Sequence, residues 1–265
     1  MQFFDNDNWV ISSAGGMTGE AYMAESARDK LFIKRNSSPF LASLSAEHIV
    51  PKLLWTRRLT NGDVLTAQQW LNGRELNASE MSSKKVATLL KKIHSSDHLL
   101  LTFSKLGKKP ISPKNILNDL KDKNDQRHTN NSVDTALIFL NQHVNDVNFE
   151  QKSVCHSDIN HNNWLIDEKG EQLYLVDWDQ AVIADPALDV ALLLYWYIDE
   201  NEWSEWLSFY GWSLDHHLRL RMHWYMIAQT IQFMFWHQDH HQTKEALLYE
   251  KDLRRLNDYS IVHFS

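Results

Sequence analysis

The stretch VCHSDINHNNWLID, Val154 to Asp167, gathers two histidines, two aspartates and three asparagines among apolar residues, more polar side chains than a turn requires. Its order is His156-x-Asp158-x4-Asn163. Asp177 follows fourteen residues later at the end of an apolar run, and Asp185 and Asp189 stand in ADPALDVA. A loop aspartate by itself most often serves an Asx-turn. Spaced like this, Asp158, Asn163 and Asp177 converge if the chain between them makes a hairpin. Two carboxylates and an amide oxygen are hard ligands, suited to magnesium bridging nucleotide phosphates. In phosphoryl transfer such an ion neutralises charge on the transferring group, while a free carboxylate orients or deprotonates the attacking hydroxyl.

The elements that must position these residues are legible in outline. The first seventy residues read as strands in NWVISS, YMAES and DKLFIKR, joined by turns of which AGGMTGEA carries glycines. SSPFLASLSAEHI suits a short helix with Ser37 or Ser38 as N-cap and Pro39 in its first turn. PKLLWTRRL and VLTAQQWL form a hairpin about TNGD, its asparagine–glycine pair supplying positive φ. After Asn72–Gly73 the character turns helical. ASEMSSKKVATLLKKIHSS sets Val86, Leu89, Leu90 and Ile93 on one face and lysines on the other. Residues 100–133 are polar and lysine-rich, expected as partly looped, and DTALIFLNQHV is a further helix. The opening stretch and EQLYLVDW pair as a hairpin around DEKG, and helix formers dominate from Pro186 onward. The expected domains are 1–72 and 73–265.

At 265 residues with 43% hydrophobic composition the chain is globular, as one large domain or two lobes. A net charge of -7 argues against a protein devoted to phosphate backbones and gives no expectation of direct nucleic-acid binding. The single cysteine, Cys155, allows no internal disulfide and fits a reducing compartment. MQFFDNDNWV carries acid where a signal peptide carries base, and VALLLYWYI is about half a membrane span. A cytoplasmic protein without membrane attachment is the expectation.

HSDINHNNWLID…LVDWDQAVIADPALD resembles the catalytic core of the aminoglycoside phosphotransferase and choline kinase superfamily, the small-molecule relatives of protein kinases. The resemblance implies an α+β, bilobal protein-kinase-like fold with a small antiparallel β-sheet N-lobe and a mainly helical C-lobe. It implies ATP and Mg2+ as cofactors, Asp158 as catalytic base, Asn163 and Asp177 as metal ligands, and His156 as a brace for the loop. Asp185 and Asp189 become structural, fixing the loop that follows and capping the next helix. Lys34 takes the place of the β3 lysine that pairs the α- and β-phosphates, with Glu47 as its helical partner. Gln69, Trp70 and Leu71 form the hinge that meets adenine. GGMTGE lies where the phosphate-covering loop belongs but departs from G-x-G-x-x-G spacing.

A narrower similarity runs through KRNSSPFLASLSAEHIVPKLLWTRRLTNGDVLTAQQWLNGREL, HSDINHNNW and DPALDVALLLYWY to the YtmP/CcrZ-type branch of Gram-positive bacteria. That branch is linked to coordinating DNA replication with division, and implies ribose-type sugars or nucleosides as acceptors and a division or replication protein as partner. The expected function is phosphoryl transfer from ATP to a hydroxyl of a small sugar-containing acceptor. Alternatives are a regulatory scaffold with incidental turnover, or a kinase of choline or aminoglycosides. DPALDVA standing where an A-P-E element would follow Asp177 weighs against a protein kinase.

Other residues keep two readings open. A lysine at the end of an edge strand is commonly a solvated device, and Glu47 fits solvent as well as an ion pair. Aromatics in LLLYWY and at Trp203, Trp206, Trp212 and Trp224 suit a core, with Tyr195 and Trp196 close enough to the D-P-x-x-D turn to line an acceptor cleft. His161 and Asp179, beside the catalytic loop, are further acceptor contacts. His237, His240 and His241 have helical ligand spacing, yet no cysteine or acidic pattern completes a zinc site.

Overall fold

The computed structural model describes residues 9–14, 21–127 and 130–264, so GGMTGE lies outside the described residues. Its chain forms two units that are not consecutive in sequence, as a single boundary at Asn72–Gly73 would make them. The first comprises Met1–Glu80, Asp97–Gly107 and Asn160–Gln180, the second Met81–Ser96, Lys108–Ile159 and Ala181–Ser265.

The first unit is built on an antiparallel sheet, order β1-β2-β3-β5-β4, from Val10–Ser13, Ala21–Glu25, Lys30–Arg35, Leu53–Arg58 and Val64–Gln69. Alternation decides which way each side chain points: Ala24, Leu31, Ile33, Leu65 and Ala67 are buried together, with Trp9, Tyr22 and Trp55 packed against them. Lys34, next to Ile33, therefore leaves the opposite face. The β4–β5 hairpin forms as expected, but only Gly62 takes positive φ (92°); Asn61 instead accepts the Asp63 amide through its side chain. Helix α1 is only Leu41–Ala46, and the Ser38 hydroxyl accepts the Phe40 amide in the turn before it. Phe40 packs on Phe103 of α3 (Asp97–Lys105) with ring centroids 4.4 Å apart.

β6 (Gly73–Glu75) joins this unit by pairing with β8 (Trp164–Asp167), which pairs with β9 (Leu173–Leu175). A Cβ on Gly73 would lie 2.1 Å from the Ile166 carbonyl oxygen, so only glycine allows the strands to meet here. That pairing is why the helical character after residue 72 does not coincide with the edge of the unit.

In the second unit, α2 (Lys84–His94) buries Val86, Leu89, Leu90 and Ile93 as its periodicity requires, and buries His94 with them. The lysine-rich segment is more ordered than its composition suggests. It holds α3 in the first unit and α4 (Pro113–Asp125) in the second, the latter started by a capping box between Ser112 and Asn115 with Pro113 behind it. Ile116, Leu117 and Leu120 supply its buried face, a stripe thin enough to be masked by lysines and asparagines. α5 (Asn131–His143) follows, and β7 (Ser153–Cys155) pairs antiparallel with β10 (Val182–Ala184). α6 (Ala187–Tyr197) is buried at every position through Leu194. α7 (Trp203–Tyr210), the long α8 (His216–Asp239) and α9 (Thr243–Phe264) complete the unit. Trp203, Trp206 and Trp224 belong to its core. Among the described residues no helix is long and apolar enough to cross a membrane.

Candidate active site

The first unit gathers the cationic and metal-ligand candidates. Trp178 is buried, its ring 6.1 Å from that of Phe40 and its indole N–H donating to the Leu175 carbonyl at 2.7 Å. Its neighbours therefore point outward. The Lys34 ammonium donates to Asp179 at 2.8 Å and to Asp177 at 3.4 Å. Partial burial alone would pull the Lys34 ammonium down, but the bonds and charges of Asp179 and Asp177 outweigh it and its pKa is raised. The two carboxylates remain 56% and 55% exposed, so most of their oxygen valence is left for another partner. Asp177 is held at φ 64°, a left-handed conformation that costs on the order of 1 kcal/mol outside glycine. Asn163 is tied to the same place: its carbonyl accepts the Val176 amide at 2.8 Å, one residue before Asp177. The Asp177 carboxylate beside Lys34, and an asparagine whose backbone is tethered next to it, supply oxygen donors of the kind Mg2+ takes, and these residue types fit that ion.

Glu47 stands one residue beyond α1, as its C-cap, while the carboxylates that hold Lys34 come from the D-W-D turn. Asp179, considered from sequence as an acceptor contact, is instead the nearer of those partners. His161 opens the short 3-10 turn His161–Asn163. Gln69, Trp70 and Leu71, the expected hinge, line a cavity in this unit together with His48 and Tyr174, neither of which the sequence singled out. The Gln69 amide already donates to Lys52 O at 2.8 Å and the Trp70 amide to Lys30 O at 3.3 Å. Lys30 also sets its ammonium 4.4 Å from the Trp70 ring centroid.

The second unit holds the expected base and its supports. Asp158 is half-buried, and its amide donates to His156 Nδ1 at 3.3 Å. Between them Ser157 adopts φ 69°. Asp189 is fully buried, and its carboxylate reaches back to this loop, accepting the His156 amide at 2.7 Å and the Ser157 amide at 2.8 Å. Asp185, equally buried, accepts the first amide of α6 from Ala187 at 2.8 Å and is gripped by the Arg221 guanidinium at 2.9 and 2.5 Å. Thus Asp185 serves the helix that follows, and Asp189 the loop that precedes.

Two further residues in this unit were invisible to motif reading. His94 lies 3.0 Å from Asp189 and 2.7 Å from the Tyr210 hydroxyl, and Arg221 is buried inside α8. The available signal was a polar residue on an otherwise apolar helical face, a weak one without knowing which acid it meets.

Tyr195 is half-buried and already engaged. Its hydroxyl bonds His223 at 2.9 Å, its ring packs on Trp203, and burial raises its pKa well above the usual tyrosine value. Trp196 is half-buried and begins a row of rings: Phe233 at 5.6 Å, then Tyr249 at 5.5 Å from Phe233, then His237 at 5.2 Å from Tyr249. Burial pushes the Tyr249 phenol up, and the negative charges of Asp158 and Asp252 add to the shift. Trp196 lies seven residues after Asp189, about two turns along the same face of α6. His237 and His240 spend a ring nitrogen on Gln242 and on the Trp236 carbonyl.

A family model described as APH, phosphotransferase enzyme family, matches residues 22–223. The fold is similar to that of choline kinase LicA from Streptococcus pneumoniae, at 16% identity and TM-score 0.72 over 94% of this chain and 93% of that one. LicA in complex with AMP matches at 16% identity and 0.69, over 97% and 94%. The GDP complex of wild-type aminoglycoside 2'-phosphotransferase-IIIa matches at 14% identity and 0.72, over 95% and 93%. An α+β chain with an antiparallel sheet in its N-terminal region and helices in its C-terminal part is the protein-kinase-like fold these structures share.

Proposed function

Because this chain belongs to the APH phosphotransferase enzyme family, we propose that it is a small-molecule kinase moving the γ-phosphoryl of ATP to a hydroxyl of a sugar-containing acceptor. The observation that supports this reading is the ion pair of Lys34 with Asp177, the residues expected to meet the phosphates and the metal, within one unit. Lys34 aligns the ATP phosphates. Asn163 and Asp177 hold Mg2+, which when bound neutralises charge on the transferring group. The base meets the hinge through the Leu71 amide and the hinge carbonyls, since the amides of Gln69 and Trp70 are already committed.

Asp158 orients the acceptor hydroxyl and takes its proton, with His156 and Asp189 fixing the loop that carries it. The acceptor lies along Trp196, Phe233 and Tyr249. Aromatic faces suit a sugar, a nucleobase or a quaternary ammonium better than a polycation, which needs many carboxylates. The sugar-type acceptor, a place in the YtmP/CcrZ-type branch, a tie to bacterial cell-cycle control with a division or replication partner, and a cytoplasmic location rest on sequence resemblance.

The test is ATP consumption by purified protein with Mg2+ against ribose, deoxyribose, nucleosides, choline and aminoglycosides. Turnover on a ribose-type hydroxyl supports the acceptor assignment, and turnover on choline or kanamycin alone replaces it. No acceptor-dependent turnover, with catalytic-residue variants fully complementing loss of the gene, would favour the scaffold.

A further inference from the structure

Both halves of the D-P-A-L-D turn are buried, yet their side chains differ in what they hold. Asp185 is served by a permanent cation, Arg221, whereas Asp189 has His94 as its side-chain partner. His94 side-chain exposure is 2% and that of Asp189 is 0%. The Asp189 carboxylate accepts three N–H groups: those of the His156 and Ser157 backbone, and Nε2 of His94. One tautomer satisfies the whole set, with the proton on Nε2 facing Asp189 and Nδ1 accepting from the Tyr210 hydroxyl. Tyr210 is fixed in turn, stacked on Trp206 at 5.9 Å, and burial keeps its phenol protonated by raising its pKa.

The same three side chains reach toward a catalytic loop under backbone strain. Ser157 at φ 69° is held open by its bond to Asp189, and the next residue is Asp158. A carboxylate in a dry site has no water to replace a missing donor, so its orientation depends on every partner it has. Ligand atoms of His94, Cys155 and Asp189 lie within 4.8 Å of one another, a grouping that could hold an ion. The His94 nitrogens are already committed to Asp189 and Tyr210, and burial raises the Cys155 thiol well above its usual range, which argues for a hydrogen-bond relay over an empty metal site.

We propose that His94, fixed in one tautomer by Tyr210, is a positioning residue for the catalytic loop, acting through Asp189 on the backbone that aims Asp158. This rests on the assignment of Asp158 as the base. It adds a helix-borne control of that base from α2 and α7, elements that contribute no group to the chemistry.

The experiment compares His94→Leu, His94→Gln and Tyr210→Phe with the unaltered chain, using MgATP and whichever acceptor of the panel above gives the fastest turnover, or water if none does. Backbone amide exchange at His156 and Ser157 is measured in parallel. The Leu variant is expected to lose about 10- to 100-fold in kcat with KM for ATP within about twofold, while Gln, which can still donate to Asp189, recovers most of the loss. Tyr210→Phe, which preserves packing, is expected to fall in between, and the two amides exchange faster in Leu and Phe than in Gln. The relay is wrong if folded Leu and Phe variants keep wild-type kcat and amide protection, or if Gln is as impaired as Leu, which would mean packing alone. Should Leu fail to fold, Tyr210→Phe against Gln decides by the same criteria. Failure of the base assignment shows separately, as wild-type turnover by Asp158→Asn, and leaves the amide-exchange result to judge the relay.

Discussion

Acidic side chains are used in opposite ways in the two units. In the first, Asp177 and Asp179 are more than half exposed and share one lysine, which leaves oxygens uncommitted. In the second, Asp185 and Asp189 have no exposure and spend their oxygens on Arg221, His94 and backbone amides. A group that must meet a ligand has to keep valence in reserve, and an exposed ion pair costs little to rearrange because water screens it. A group that must hold backbone in a strained shape has to be saturated and dry, where a lost partner is expensive. The first pair thus suits the proposed ligand handling, and the second holds backbone.

The sharpest test removes the carboxylate proposed as the base. Asp158→Asn is expected to lower turnover by about two to four orders of magnitude while nucleotide affinity, followed by fluorescence titration, stays nearly unchanged. Next comes the buried pair. Arg221→Met strands the Asp185 carboxylate and should cost about 3–5 kcal/mol in urea unfolding, and adding Asp185→Asn, which keeps the bond to Ala187, should recover much of it. Equal destabilisation by the double variant would mean that Arg221 matters for packing over Phe149, 3.6 Å away, and not for charge.

A third test uses pH. Burial lowers the pKa of His223 from 6.5 to about 3, with the nearby His263 and His143 contributing, while Tyr195 and Ser260 occupy its ring nitrogens. The unfolded chain takes up this proton at 6.5 and the folded chain does not. Stability is therefore complete above pH 6.5 and falls as pH drops toward about 3, by a few kcal/mol. His223→Gln should be less stable at neutral pH but show a flatter decline between pH 6.5 and 4 in urea midpoints; parallel curves would refute the assignment. The smallest stability effect belongs to the exposed pair. Lys34→Met should shift unfolding by less than about 1 kcal/mol yet weaken ATP binding by about tenfold or more. A large loss of stability there would erase the contrast between the units.

Much of this was readable beforehand wherever a local rule operates. The β4–β5 hairpin follows from alternation around an asparagine–glycine turn, and the buried face of α2 from its period. Lys34 on β3 and the D-W-D turn follow from strand patterning and motif order. Three-residue strands such as β6, β7 and β10 were not readable, because so short a run shows no periodicity and owes its existence to its partner. α4 was hidden because its stability comes from a capping box and three buried residues among many charges. Tyr195 and Trp196 look alike in sequence, one bonded to His223 and the other facing Phe233, since adjacent helical residues point about 100° apart.

The order of residue types along the chain was enough to state an expected chemistry: a loop acid, an amide five residues on and a strand-end acid suit phosphoryl transfer because such groups bind hard cations and accept protons. Which acids are spent and which are kept is another matter. That Asp179 holds Lys34, and that Asp189 answers to His94 across 95 residues of chain, was decided by tertiary packing alone. Burial and hydrogen-bond partnership are set by what distant segments bring to a side chain, and no local pattern encodes them.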